Sequence, residues 1–262
     1  MFNTVNSNWE FALFSANVHS FFPDISWEEH NTIYENWKTY QMPTKRSVEI
    51  DEMLRDQLKT LAPGILTLFH LGNHLESPVA LADSGLIFDI ILDPEVYRKS
   101  QNVLSEMLQN LNDFGRGNYR FLFSNDPHLL LKCRGSLQIG KHILIFADGS
   151  SGTAIGDKDN RIKIPFFANY LYCKVGIPAL AFLFKVQIYP LITSDKNPNI
   201  SKLNLYPAIY PKESQSRADF TSTTLTRLYR TLEMAIQKKP WRWECWSYLH
   251  SNGMLIESNV SQ

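Results

Sequence analysis

The chain has 262 residues, 44% of them apolar and 20% charged, a balance that suits a globular protein with a sizeable core and excludes a disordered segment. Lys+Arg and Asp+Glu both number 26, so there is no global field to recruit nucleic acid or an anionic membrane. The three cysteines, Cys133, Cys173 and Cys245, are far apart and form no CxxC pair, which argues against a disulfide framework or a zinc cage and fits a reducing compartment.

Residues 1–60 read as a helical extension. "NWEFALFSANVHSFF" is rich in apolar residues, and "SWEEHNTIYENWKTY" opens on Ser26 with glutamates in its first turn, an N-terminal helix signature. "SVEIDEMLRDQLKTL" is a third amphipathic stretch, ended by Pro63-Gly64. The aromatics of Phe11–Phe22 are expected to pack on the main domain, the alternative being a weak peripheral contact with a bilayer on the inner face of the membrane. No basic region followed by an apolar stretch opens the chain, and no window reaches ~18 consecutive apolar residues, so neither a signal peptide nor a spanning helix is expected. A cytoplasmic location follows as the expectation.

From residue 64 the pattern changes to short apolar runs separated by helical segments. "GILTLFH", "GLIFDIIL", "YRFLF", "HILIFAD", "ALAFLF" and "QIYPLI" read as buried strands. "EVYRKSQNVLSEMLQNLND" and "HLLLKCRGSLQIG" read as the helices between them, and residues 217–239 as a last long helix stopped at Pro240. The pattern predicts one α/β domain over residues 61–250, with a mixed, mainly buried central sheet flanked by helices, and a tail over 251–262.

Such folds put their chemistry at the carboxyl ends of strands, and two candidates fall there: His70 ends the first strand and Asp148 ends "HILIFAD". His70 begins "HLGNHLES". As a metal site, His70-x3-His74 with Glu76 has one-turn spacing, but Leu71 stands where the helical zinc signature has Glu, and Gly72-Asn73 interrupts a helix. "DGSSG" is one residue short of a serine-hydrolase elbow. As a general base, His70 suits proton removal near neutral pH when a carboxylate fixes its tautomer. Gly72-Asn73 or Gly149-Ser150-Ser151-Gly152 would offer backbone donors to a developing oxyanion, and Arg161 with Lys163 would pair with an anionic part of a substrate.

"HLGNHLES" resembles the first block of the bacterial lipid A late acyltransferase group in the lysophospholipid acyltransferase superfamily. "LIFADGSSG" is similar to that group's second block. "KIPFFANYLYCKVGIPALAFLFKVQIYPLIT" resembles the stretch after it, and "LYRTLEMAIQKKPWRWECW" the terminal helix and its tryptophan-rich close. The resemblance runs from about residue 60 to 248. It implies the superfamily's mixed sheet with a groove for an acyl chain. It also implies transfer of a fatty acyl group from a thioester donor, acyl-CoA or acyl carrier protein, with no bound cofactor and no metal. The acceptor would be a hydroxyl or amine on a lipid, small molecule or peptide. The resemblance further implies His70 as base with Glu76 and Asp148 as acids, and Arg116 (or Arg120) as a substrate-binding residue, while Asn73, Gly149, Ser150 and Arg161 stand as substrate-binding candidates on the residue chemistry given above. Five residues separate His70 from Glu76 where the family block has four. The rival expectation is an inactive relative that binds an acyl chain or a carrier protein; a metal-dependent hydrolase is the third.

Overall fold

A computed structural model describes residues 3–42, 47–72, 74–114, 117–149, 161–197, 199–250 and 254–255. In chain order its elements begin with helices α1 (Asn3–Phe21) and α2 (Trp27–Gln41), strand β1 (Ser47–Glu49), α3 (Glu52–Lys59) and β2 (Ile65–Leu68). Next come α4 (Glu76–Asp83), β3 (Phe88–Leu92), α5 (Pro94–Lys99), α6 (Gln101–Phe114), β4 (Phe121–Phe123), α7 (Leu129–Gln138) and β5 (His142–Phe146). The hairpin β6 (Arg161–Phe166) and β7 (Asn169–Lys174) leads to α8 (Gly176–Phe184), β8 (Ile188–Asn197), β9 (Ile200–Leu205) and α9 (Arg217–Ile236). Two short 3-10 turns, Pro240–Arg242 and Glu244–Ser247, follow.

Seven strands form one sheet in the order β1-β9-β8-β2-β5-β3-β4. β8, β2, β5, β3 and β4 run parallel; β9 pairs antiparallel with β8, and β1 runs parallel to β9. All four residues of β2 are buried, because a central parallel strand is covered on both faces and therefore reads as a continuous apolar run. Its side chains alternate between two cores: Ile65 joins α1, α2, α9 and the β6–β7 hairpin, while Leu66 and Leu68 join α3, α4 and α6.

The N-terminal helices are anchored on the domain. Ser26 and Glu29 form a reciprocal capping box at the start of α2. Phe14, Val18 and Phe21 are buried, and the Phe21 ring meets Phe166 at 5.4 Å and Trp246 at 5.7 Å. Among the described residues no helix is long and apolar enough to cross a membrane.

Three local expectations are corrected. Residues 47–49 are a strand inside the expected helical extension; the helix begins only at Glu52, where Asp51 caps the Leu54 N–H. "ALAFLF" lies in helix α8, not in a strand, with Pro178 in its first turn and Lys185 closing it in the left-handed region (φ 55°). A short apolar run is ambiguous by periodicity, and here the alanines and leucines favour the helix. The β6–β7 hairpin and β9 were not expected at all.

Candidate active site

Register puts the two leading candidates side by side. β2 and β5 are adjacent and parallel, with Leu68 opposite Phe146. His70 and Asp148 each lie two residues beyond that pair, so both leave the carboxyl edge of the sheet at the same height. His70 Nδ1 lies 2.8 Å from Asp148 Oδ1, with the histidine side chain 28% exposed and the carboxylate fully buried.

Asp148 is surrounded by proton donors. The His70 backbone N–H reaches both oxygens, at 3.2 and 3.0 Å. Trp243 donates its Nε1–H to Oδ2 at 2.8 Å, and the Cys245 thiol lies 3.5 Å from the same oxygen. Burial alone would push the Asp148 carboxyl up, but the His70 charge and these hydrogen bonds hold it below the usual carboxylate range. Burial disfavours the His70 imidazolium, and the Asp148 carboxylate more than offsets this, raising His70 above its ordinary value. Burial, then the Asp148 charge, push the Cys245 thiol well up, so it stays protonated and donates. His70, Asp148 and Cys245 lie within 4.8 Å of one another, a spacing that a metal ion would also accept. The donors already on Asp148 make this a hydrogen-bonded cluster around an anion.

With Nδ1–H given to Asp148, neutral His70 carries its lone pair on Nε2, which has no hydrogen-bond partner among the described residues. The ring is held from several sides. Phe146 packs on it at 4.8 Å, and His74 meets it edge-on at 5.0 Å. His74 Nδ1 lies 3.5 Å from Glu244 Oε2, and Tyr248 Oη donates to Glu244 Oε1 at 2.6 Å. Burial, followed by the His70 charge, lowers His74 to about 4, so it is neutral at pH 7.

The backbone at His70 is clamped by the tryptophan-rich close of the chain. Glu244 N–H donates to His70 O at 3.0 Å, Leu71 pairs antiparallel with Trp243, and Gly72 N–H donates to Arg242 O at 3.2 Å. Arg242 is buried and forks between Asp195 Oδ1 (2.9 Å) and Thr193 O (2.7 Å). α2 closes the arrangement from outside: Trp37 Nε1 donates to Trp243 O at 3.2 Å and Tyr40 Oη to Asp195 at 2.7 Å.

Glu76 departs from the expected pairing. It stands at the start of α4, exposed, with no ion pair or hydrogen bond to His70, and its carboxyl is raised by partial burial and by Glu106 of α6. One extra residue turns a helical side chain by about 100°, which carries Glu76 away from the strand end, and Asp148 takes its place. Of the substrate-binding candidates, Asn73, Arg116 and Ser150 lie outside the described residues. Gly149 sits against the site, a Cβ there coming 3.8 Å from His70 Cε1. Its N–H points to Phe146 O (3.3 Å) and that of Gly72 to Arg242 O, so neither of these two is open to an oxyanion, and the other expected donors, Asn73 and residues 150–152, lie outside the described residues. Arg161 opens β6 opposite Lys174, near enough to Cys173 to act on its thiol. Arg120, the alternative to Arg116, is committed to the buried Asp89 at 3.0 Å. Cavities of about 490 and 480 Å³ open elsewhere, and neither is lined by His70 or Asp148.

Sequence reasoning missed Trp243, Glu244 and Cys245 as site residues. The signal was the cluster of three tryptophans in "PWRWECW", a costly composition for a surface turn. A scan against protein-family models and a search of curated proteins both return no match for this chain.

Proposed function

We propose that the protein is an acyltransferase that moves a fatty acyl group from a thioester, on coenzyme A or acyl carrier protein, to a hydroxyl or amine. The single observation that carries the reading is the His70–Asp148 pair, at 2.8 Å, with the carboxylate buried and the ring reaching solvent. The resemblance of four ordered sequence blocks to the lipid A late acyltransferase group supplies the reaction class, and the parallel sheet with His70 at its carboxyl edge is compatible with that superfamily's fold.

His70 Nε2 takes the proton from the acceptor O–H or N–H as its heavy atom attacks the thioester carbonyl. Asp148 stabilises the imidazolium that forms and holds the ring in one tautomer. As the tetrahedral intermediate collapses, the C–S bond breaks and the thiolate takes the proton back from Nε2–H. One histidine serves both transfers, so no net proton is left on the protein.

The test is incubation of purified protein with a panel of acyl-CoA and acyl carrier protein donors and candidate acceptors, with mass detection of the acylated product. Turnover that falls by ~10²-fold or more in a folded His70→Ala variant supports the proposal. Wild-type protein that binds thioesters without turnover would favour the inactive-relative reading instead.

A further inference from the structure

The elbow between α1 and α2 holds two histidines that the site at the sheet edge does not use. His19 lies in the last turn of α1 and His30 near the start of α2. Their ring centroids are 6.0 Å apart, with the planes tilted by 54°. Trp27 packs against both rings, stacked on His19 at 4.4 Å and edge-on to His30 at 4.8 Å.

Each ring keeps one nitrogen unspent. His19 Nδ1 and His30 Nε2 are both buried atoms with no hydrogen-bond partner among the described residues, although buried polar atoms are normally bonded. His30 is fully buried, and its other nitrogen, Nδ1, lies 2.6 Å from Ser15 Oγ. When Nδ1–H donates to that hydroxyl, the tautomer is fixed and the lone pair falls on Nε2. His19 is only partly buried, which leaves the elbow a route to solvent. Among the described residues no carboxylate or thiol joins the two nitrogens as a third close ligand.

We propose that the elbow binds a transition-metal ion through His19 Nδ1 and His30 Nε2. Neutral imidazole suits zinc and copper, whereas magnesium and calcium prefer oxygen. An ion ~2.0–2.1 Å from each nitrogen sets the ring centroids about 5 Å apart at a tetrahedral angle and about 6 Å apart at a nearly linear one. The observed 6.0 Å suits a wide angle, as in two-coordinate Cu⁺; Zn²⁺ would draw the rings together and complete its shell with water. Ser15 holds the His30 ring as the partner of a metal-bound histidine does. The site is independent of acyl transfer, since it shares no residue with the His70–Asp148 cluster. It does tie α1 to α2, and Asn17, two residues before His19, donates to Trp246 O at 2.6 Å, so a bound ion would brace the tryptophan-rich segment as well.

Competition between the full chain and chromophoric chelators, for Zn²⁺ and for Cu⁺ under reducing conditions, tests it, with Mg²⁺ as the oxygen-preferring control. At least one of the two transition ions is expected to bind and Mg²⁺ is not; whichever withstands its chelator identifies the ion. His19→Gln and His30→Gln should each weaken binding by about tenfold or more, and Ser15→Ala severalfold. His19 is the less buried of the pair, so its variant keeps the test decisive if the His30 variant fails to fold. His70→Ala should retain the binding, which separates the elbow from the His70, Asp148 and Cys245 cluster. The bound ion should also raise the melting temperature of the wild type and not that of His19→Gln. Absence of binding by both transition ions at submillimolar concentration overturns the proposal. So does equal affinity in His19→Gln and wild type, or binding that is lost in His70→Ala.

Discussion

Trp243 donates its indole Nε1–H to Asp148 Oδ2 at 2.8 Å, with both residues buried. The bond joins the tryptophan-rich segment that follows α9 to the carboxylate that orients His70, and the backbone of that segment also pairs with residues 70–72. The candidate base, its acid and their support thus come from residues more than 170 positions apart, counting from His70 to Trp243 (243 less 70).

Trp243→Phe keeps an aromatic ring but removes the donor. A hydrogen bond to a buried charged group contributes about 1.5–3 kcal/mol, so the melting temperature should fall by several degrees. With one donor lost, Asp148 becomes more basic and holds the His70 proton more tightly. The apparent pKa in the pH profile of kcat/KM should therefore rise relative to wild type. A fall in melting temperature with an unmoved profile would reduce Trp243 to a packing role.

The two acids separate by substitution. Asp148→Asn removes the charge that stabilises the His70 imidazolium, so His70 should titrate lower and acyl transfer should fall by ~10²-fold or more. Glu76→Gln should leave acyl transfer within about threefold of wild type, because Glu76 faces Glu106 and not His70. Kinetics of the two variants side by side check both; a large loss only in Glu76→Gln would reverse the assignment.

Much of this site is legible in the sequence, for identifiable reasons. His70 and Asp148 announce themselves because each ends an apolar run, and polar residues at parallel-strand ends face outward from the sheet. Their pairing is not legible, since it depends on β2 and β5 being neighbours although β3 and β4 intervene in the chain. Glu76 is the nearer acid in sequence, but helical rotation, which a one-residue count does not reveal, turns it outward. The role of "PWRWECW" is hidden because its contacts are long-range backbone pairs with residues 70–72, and these leave no periodic pattern. Strand β1 escapes notice for a related reason: three residues are too few to show alternation, and the pairing with β9 decides the conformation.

Acid should destabilise the fold before it protonates most carboxylates. His74 and His142 are both lowered to about 4, chiefly by burial. A histidine whose folded value lies below its unfolded one contributes stability above the unfolded value, near 6.5, and loses it as pH falls toward 4. His142 Nδ1 accepts the Gly64 N–H at 3.2 Å, a bond that requires the neutral ring. A shift from 6.5 to about 4 corresponds to on the order of 3 kcal/mol for this buried group. His70 acts in the opposite sense: it is raised, so its contribution is complete below 6.5 and fades as pH climbs through its folded value. Melting curves between pH 7 and 4 should fall steeply, and less steeply in His142→Gln once its lower starting stability is allowed for. Parallel curves for the two proteins would remove His142 from the acid response.

Gly72 offers a way to displace His70 without touching its side chain. Its φ is +61°, in the region that L side chains rarely adopt. A Cβ there would stand 3.0 Å from Tyr40 Oη and 3.2 Å from Thr193 Oγ1, both held in the hydrogen-bonded network around Arg242 and Asp195. Gly72→Ala therefore combines about 1–2 kcal/mol of backbone strain with crowding against groups that cannot easily retreat. The least costly escape is a shift of residues 71–72 away from Thr193, which stretches the Thr193–Leu71 bond of 2.9 Å and the Gly72–Arg242 bond of 3.2 Å. Both bonds hold the strand end that carries His70, so the Nδ1–Asp148 distance should lengthen with them. The expected outcome is a loss of several degrees in melting temperature with a loss of acyl transfer of about tenfold or more at a temperature where the variant remains folded. The second substitution Tyr40→Phe in the Gly72→Ala background removes the nearest obstructing atom and should restore part of both losses. If the double variant is no better than Gly72→Ala alone, the strain at φ +61° and not the contact with Tyr40 dominates.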